Sequence, residues 1–530
     1  MQMDSKAKKL LVFAIPTIAF TLAVYFFSPS WMTNDDPAMS MITHGYGAVE
    51  IPSPLIYFSN LYWGKIIQTI PSFGGWHGYS FATAATLLIS ITIAWVAITL
   101  EEKSLWLTLP ILLGVLSYPI LFPQFTLTAG ISACAAILCL KRYTYKFNTT
   151  WLVLAVLLGI ISFLIRYLEM FFVCLVALPV INWKVLLSRK SAWLACMIFI
   201  SFASIATLQN NHAYTGPEWE YFNKNLTTIQ KITGWSYAET LKQDEALLEK
   251  HSLSATDVEL AYRWMWFDMD QTKFDSLKNA IDDIDKRSNL NDGWEFRAVK
   301  AIAALFSKEI IFLTVLALLL TISRSSKQLW ASWALFIFAI GIIGAMGRPG
   351  EIRIYIPVIS LLIMCSLFYH RTLTAPSCKW QTVLLIILVG CHVSQLTIES
   401  IKREKSHKQM LAKLQNLPTE DLVAGYYSTL KANHVFSLNG SAQISKDFKN
   451  LYLFGWPAIM PHSVAYNADK DQNGFKSKLL SNDGVWIVIN STKLLEQYCR
   501  EKNLVFETLI KRSSETGSAR KIRCNQPLLH

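Results

Sequence analysis

Eleven apolar runs spread along most of the chain constrain its fold more than any other feature. The first, Leu10 to Phe27, carries no charge and as a helix is long enough to cross about 30 Å of hydrocarbon. Ten more follow near residues 79–99, 104–122, 124–140, 151–165, 168–181, 191–207, 301–322, 329–346, 354–370 and 380–398. In lipid every backbone polar group has to be satisfied within its own segment, so such runs are predicted to be transmembrane helices. Composition agrees: of 530 residues, 52% are hydrophobic and only 16% charged, with a mean hydropathy of +0.32, which sets the chain apart from soluble domains. The first run is followed by Pro29-Ser30-Trp31 instead of a small-residue cleavage site, and it reads as a retained signal anchor.

Lys6, Lys8 and Lys9 precede that anchor and place the N-terminus in the cytoplasm. Threading from there leaves Lys103, Lys141, Arg142, Lys146, Lys184, Arg189, Lys190, Arg324, Lys327, Arg371 and Lys379 inside, as the positive-inside rule requires. Three polar segments then face out: 28–78, 208–300 and the tail from about 399 to 530. The two short runs around Arg166 decide this threading, because a broken or re-entrant pair counted as one span would invert everything after it. The predicted fold class is an all-α polytopic membrane protein with a small C-terminal α/β domain. The predicted division is a membrane domain over 1–398, carrying outer loops 28–78 and 208–300, and a soluble domain over 399–530.

The net charge of +12 lies largely in cytoplasmic flanks and the tail. No basic stripe is interleaved with aromatics, so membrane lipids, not nucleic acid, are the expected partner. Cys134, Cys139, Cys174, Cys196, Cys365 and Cys391 fall in apolar runs and read as small hydrophobes, with Cys378 in a cytoplasmic flank. The spacings match no metal site. Cys499 and Cys524 alone lie in the tail, where an oxidising compartment would let them pair, and the sequence leaves that open.

Segment 208–300 alternates aromatics with charges, as in Trp264-Met265-Trp266-Phe267-Asp268-Met269-Asp270, and predicts short helices lying across the outer face. Its acids, Asp282, Asp283 and Asp285 among them, read as a solvated helix face with no chemistry. The tail predicts a helical run over 399–416, strands at His434–Leu438, Leu451–Phe454 and Val485–Ile489, and a helix over 492–502. It contains no phosphate loop, nucleophile elbow or His-Glu-x-x-His motif, which suits a domain that covers or orients a substrate.

Two clusters carry candidate chemistry. Asn34-Asp35-Asp36-Pro37 through His44-Gly45 reads as a short helix with Asp36 at its N-cap, proline in its first turn and glycine past its end. A capping carboxylate is a poorer base, so Asp35 is the better candidate to take a proton, with Asp36 second. Gly347-Arg348-Pro349-Gly350-Glu351-Ile352-Arg353-Ile354-Tyr355 opens a late span, where Arg353 and Arg348 can grip a phosphate through forked hydrogen bonds. The alternative there is an arginine snorkelling at the interface and paired with Glu351. Arg166 and Glu169 interrupt apolar runs at the outer boundary, either as a local ion pair or as part of a binding site. His44, His77 and His212 share no metal spacing, and Trp31, Trp63 and Trp76 fit an interfacial aromatic belt.

Acids in the first outer loop, a Glu-x-Arg-x-Tyr-x-Pro pattern at Glu351, Arg353, Tyr355 and Pro357, and a many-span body with a soluble outer tail together resemble the GT-C superfamily of membrane glycosyltransferases. The resemblance covers the layout of the whole chain through short motifs. It implies a polyprenyl-phosphate sugar donor, a glycan or lipid acceptor on the periplasmic side of a bacterial inner membrane, Asp35 or Asp36 as base, and Arg353 on the lipid phosphate. Bacterial enzymes that modify O-antigen or other surface polysaccharide are the branch it most resembles. The chain lacks a second outer-loop acidic pair, for which Glu169 is the nearest stand-in, and this leaves a divalent metal open. Arg348, Glu351, Tyr355, Arg166, Glu169 and His44 complete the expected substrate-binding set. The rival readings are a lipid-linked glycan polymerase or ligase and a flippase of lipid-linked glycans; charges confined to span ends, in otherwise clean spans, favour the enzyme.

Overall fold

In the computed structural model, residues 5–99, 108–234, 237–287, 293–324, 326–348, 350–368, 379–414, 421–426, 432–438, 441–445, 450–489, 491–514 and 517–526 are described. Lys103, Arg371 and Cys378 lie outside them, as do Pro349 and the side chains of Arg324 and Lys379. Contacts divide the chain into two compact units. One comprises Met1–Thr33, Pro54–His212 and Glu295–Glu404; the other comprises Asn34–Ser53, Ala213–Trp294 and Lys405–His530. This division differs from a linear boundary near residue 398, because parts of both predicted outer loops fold with the tail.

The first unit is helical and apolar. Among the described residues, six helices are long and apolar enough to cross a membrane: Gly78–Thr99, Phe125–Lys146, Thr149–Val180, Lys190–Ala213, Lys327–Ala345 and Val383–Ala412. Trp294–Phe306 and Ile311–Ser323 form a pair bent by 86°, and Ala14–Phe27, Thr108–Leu121 and Ile352–Phe368 are shorter apolar helices.

The stretch Thr149–Val180 is two legs, not one rod. Arg166 has φ −159° and ψ 91°, outside helical geometry. Ser162 Oγ donates to Ala129 O at 2.7 Å, while Lys141 Nζ donates to Val180 O at 2.8 Å. In one straight helix antiparallel to Phe125–Lys146, Val180 would run away from Lys141 and end ~45 Å from it at 1.5 Å per residue. The Arg189 guanidinium also lies 4.1 Å from the Phe147 ring centroid, so the chain returns to the level at which the first leg began. It therefore reverses at Arg166, as two separate runs over 151–165 and 168–181 predicted. With that element doubled, the six long helices, the bent pair and the three shorter helices make eleven candidate crossings among the described residues.

The helix Phe125–Lys146 is the axis of this unit, with nearly all of its residues buried. Gly130 makes this packing close: a Cβ there would collide with Pro357 of the helix Ile352–Phe368, so a glycine is what lets the two helices approach. Cys134 Sγ then reaches Pro357 O at 3.2 Å. At the far end, Lys141 and Arg142 lie over the Phe368 ring at 5.3 and 5.7 Å. Lys141 and Arg142 are thus buried, with the Lys141 ammonium satisfied by a helix-end carbonyl. Trp31 and Trp63 are buried in this unit as well, a correction to the interfacial belt, since each ring is large enough to fill core space once neighbouring helices cover it.

The second unit is built on a five-stranded sheet of order β2-β1-β3-β5-β4, where β1 is Val423–Tyr426, β2 Leu451–Phe454, β3 Val485–Ile489, β4 Val505–Ser514 and β5 Gly517–Asn525. β1 is parallel to β2 and β3, and β4 and β5 form an antiparallel hairpin added at β3. β2, β3 and the helix Lys493–Glu501 stand where the sequence predicted them. His434–Leu438 does not form a strand: Ala432–Val435 is a short helix, because an isolated apolar run of this length carries no period to choose between the two states.

The helices of segment 217–287 pack with this sheet domain. Phe267 sits in its core, 4.8 Å from Phe475 and 5.2 Å from Tyr498 between ring centroids, in a cluster with Leu260, Met265, Leu495 and Ile522. Asp283 pairs with Lys250 at 2.6 Å and His251 at 2.9 Å, and Asp285 with Lys231 at 2.6 Å. These acids tie helices together, in keeping with a structural role. Cys499 and Cys524 are bonded as a disulfide joining the helix Lys493–Glu501 to β5.

Candidate functional site

The expected site residues divide between the two units: Asp35, Asp36 and His44 belong to the unit built on the sheet, and Arg166, Glu169, Arg348, Glu351, Arg353 and Tyr355 to the helical unit. Each group is described within its own unit.

In the helical unit, three of the predicted charges are brought together. Arg166 occupies the reversal between the two legs. Its Nη1 donates to Phe58 O at 3.1 Å, and its guanidinium lies 5.6 Å from both the Phe58 and Phe125 ring centroids, rings that themselves stack at 5.9 Å. Cation–π contact and a carbonyl acceptor therefore hold this charge at the end of the spans. Glu169 lies one turn along the second leg, 3% exposed, and its Oε1 has no hydrogen-bond partner among the described residues. The charges of Arg166 and Arg353 both act on it. Arg353 in turn lies 3.6 Å from Glu351, with a quarter of its side chain exposed. A buried carboxyl group near enough to two guanidiniums to feel their charge is a costly arrangement that packing alone does not require.

The other expected members behave differently. Arg348 is exposed, after a Gly347 at φ +89°. Tyr355 is buried, and its hydroxyl donates to Ala301 O at 2.8 Å, so it pins the bent pair Trp294–Phe306 and Ile311–Ser323 against the helix Ile352–Phe368. Sequence reasoning missed Arg297, which donates to the terminal carbonyl of Ala345 at 3.2 Å from Nη2 and caps that helix next to the Gly347–Arg353 turn. It also missed Tyr57, which adopts φ +41° immediately before the carbonyl that Arg166 binds. Strained backbone of this kind in a non-glycine residue marks positions fixed by their surroundings. Burial pushes the Tyr57 phenol above the usual tyrosine range, with the Arg166 charge opposing.

In the other unit, a helix spans Asp35–His44. Asn34, not Asp36, is its N-cap residue: Ala38 N–H donates to Asn34 O at 3.3 Å, so the first turn starts earlier than predicted. The Asn34 side chain is committed elsewhere, its Oδ1 accepting from Asn433 N–H at 3.2 Å. Both aspartates thus sit in the first turn, favourably placed against the helix dipole. Asp36 is fully buried while Asp35 is half-buried, which leaves Asp35 the more accessible. Gly45 closes the helix at φ +67°, its N–H returning to Met41 O at 2.8 Å, as the sequence predicted. Burial lowers the His44 imidazole to about 4, so it is neutral at pH 7 and offers no cation to a phosphate. Among the described residues no group of three or more His, Cys, Asp or Glu is placed to hold a metal ion.

No family model and no curated protein matches the chain. Solved structures similar to it include ArnT from Cupriavidus metallidurans bound to undecaprenyl phosphate, at 10% identity over 97% of each chain with a TM-score of 0.43. The apo state of the same protein is similar at 10% identity over 98% of each chain, with a TM-score of 0.41. At this level the likeness gives no residue a role.

Proposed function

We propose that this protein is a membrane glycosyltransferase that moves a sugar from a polyprenyl-phosphate donor to a glycan or lipid acceptor on the periplasmic side, with inversion. The observation that carries the reading is the Arg166, Glu169 and Arg353 cluster at the ends of otherwise uncharged spans. In this reading the cluster supplies the guanidiniums that bind the lipid phosphate.

In this reading the acceptor hydroxyl oxygen attacks the anomeric carbon, the bond from that carbon to the phosphate oxygen breaks, and its electron pair leaves with the phosphate. The hydroxyl proton passes to the Asp35 carboxylate. The donor is a phosphodiester with one negative charge and the product a monoester that gains a second, so a cation that strengthens its grip as the bond breaks lowers the barrier. Arg353, which lies 3.6 Å from Glu351, is the cation assigned to that charge.

The test is purified protein in lipid nanodiscs with a radiolabelled polyprenyl-phosphate sugar and isolated cell-surface glycan. Label moves to the acceptor with wild type and not with Asp35→Asn or Arg353→Ala. Full transfer by both Asp35→Asn and Asp36→Asn protein rejects the aspartate base.

A further inference from the structure

A polar groove of about 490 Å³ opens in the sheet-based unit, away from Asp35 and Asp36 in its lining, and no step of the reaction above uses it. Its walls come from stretches far apart in sequence, at residue 50, at 422, at 450 and over 464–478. The chain arriving from Gly47 and Ala48 is fixed by two long-range backbone bonds, Leu451 N–H to Gly47 O at 3.1 Å and Val464 N–H to Ala48 O at 2.9 Å, and this seats Glu50 at the rim. The helix Val464–Lys470, N-capped by Ser463, supplies Asn467 and Lys470. The turn after it, closed by Asn473 N–H to Ala468 O at 2.8 Å, supplies Asp471 and Asn473.

The chemistry of the lining is specific in three respects. Asn450, Asn467 and Asn473 all line one cavity, and among the described residues none of their carboxamides makes an intramolecular hydrogen bond. An amide offers a donor and an acceptor side by side, which suits adjacent hydroxyls on a sugar ring. The charged residues cancel, Glu50 and Asp471 against Lys470 and Lys478, so the groove has no net attraction for a phosphate or a carboxylate. Leu422 and Val464 add apolar surface against which the C–H face of a ring can lie. The volume falls within the ~300–1,000 Å³ usual for small-molecule sites.

We propose that this groove binds a neutral oligosaccharide, through amide contacts to ring hydroxyls, independently of whether the chain transfers a sugar. The binding is assayed without any lipid donor, so its outcome is separate from that of the transfer assay. Full-length protein in nanodiscs is titrated with a panel of neutral di- to tetrasaccharides of hexoses, 6-deoxyhexoses and N-acetylhexosamines, with binding read by saturation-transfer NMR and calorimetry. Saturable binding of at least one member is expected, weakened at least ~10-fold by Asn473→Ala and by Asn467→Leu and unchanged by Asp35→Asn. Asn473 lies in an exposed turn, so its variant remains informative where Asn467→Leu fails to fold. The proposal is overturned where no neutral saccharide of the panel binds, where folded Asn473→Ala binds like wild type, or where only anionic saccharides bind and Lys470→Gln with Lys478→Gln abolishes that binding.

Discussion

The reversal at Arg166 makes a sharp prediction about which side of the membrane two residues face. A continuous helix over the 32 residues of Thr149–Val180 is about 48 Å long, well beyond the ~30 Å hydrocarbon core. Two legs of roughly 24 Å each instead place Arg166 and Tyr167 at one boundary and residues 181–189 at the other. Tyr167 and Trp183 are 48% and 44% exposed, so both sites are accessible to a reagent. In a background with the seven cysteines outside the Cys499–Cys524 pair replaced, single variants Tyr167→Cys and Trp183→Cys are treated in intact cells with a membrane-impermeant maleimide. The hairpin predicts labelling of residue 167 from outside and of residue 183 only after permeabilisation. Labelling of residue 183 from outside, with residue 167 protected in both conditions, is what a straight span requires and would refute the reversal. Arg166→Leu sharpens the assay: losing the Phe58 carbonyl bond and both ring contacts removes the groups that hold the turn, and protection of residue 167 is expected to rise.

Asp35→Asn is expected to lower the transfer rate by about 10²–10⁴-fold, the range for loss of a general base, with expression and unfolding midpoint unchanged. Tyr355→Phe is expected to leave the Michaelis constant for the donor unchanged while costing about 1–3 kcal/mol, because Ala301 O then loses its buried partner; thermal unfolding read against kinetics checks it. The His44 imidazole, lowered to about 4 by burial from ~6.5 when unfolded, favours the folded state fully above the unfolded value. That contribution is lost as pH falls from about 6.5 toward 4, and His44→Gln is expected to flatten the stability profile in that window. Removal of the disulfide as Cys499→Ser with Cys524→Ser opens a loop of sequence separation 25 and is expected to cost roughly 3–4 kcal/mol by the chain-entropy relation, measured by denaturant unfolding of the full chain.

What was legible in the sequence is what depends on local patterns. Uncharged length alone located the spans, including both legs at Arg166, since no soluble alternative hides so much apolar surface. Leu451–Phe454 and Val485–Ile489 were legible as strands because each is a short apolar run between turn residues. β4 and β5 were not, because VFETLIKRSS and GSARKIRCN carry too many charged and small polar residues to stand out as apolar runs. The membership of Asn34–Ser53 in the sheet-based unit rests on backbone bonds at Gly47 and Ala48 to partners about four hundred residues away, and such bonds leave no mark on composition. The gathering of Arg166, Glu169 and Arg353 was half legible: their cost in a membrane named them as candidates, while Gly130 and Pro357, which bring their helices close, read as ordinary span residues.

The composition of the sheet-based unit tests the span count independently of any distance near Arg166. Asn34–Ser53, Ala213–Trp294 and Lys405–His530 fold as one compact unit, and a unit whose core joins Phe267 to Phe454 and Phe475 cannot have its segments on opposite sides of a bilayer. The chain must therefore cross an even number of times between residues 54 and 212, and again between 295 and 404. The second interval contains the bent pair and the helices Lys327–Ala345, Ile352–Phe368 and Lys379–Leu414, which is even when the bent pair is one crossing. The first contains five helices when Thr149–Val180 is taken as one, an odd number, and six when it is two legs. Parity and the Lys141–Val180 contact thus arrive at the same topology by separate routes.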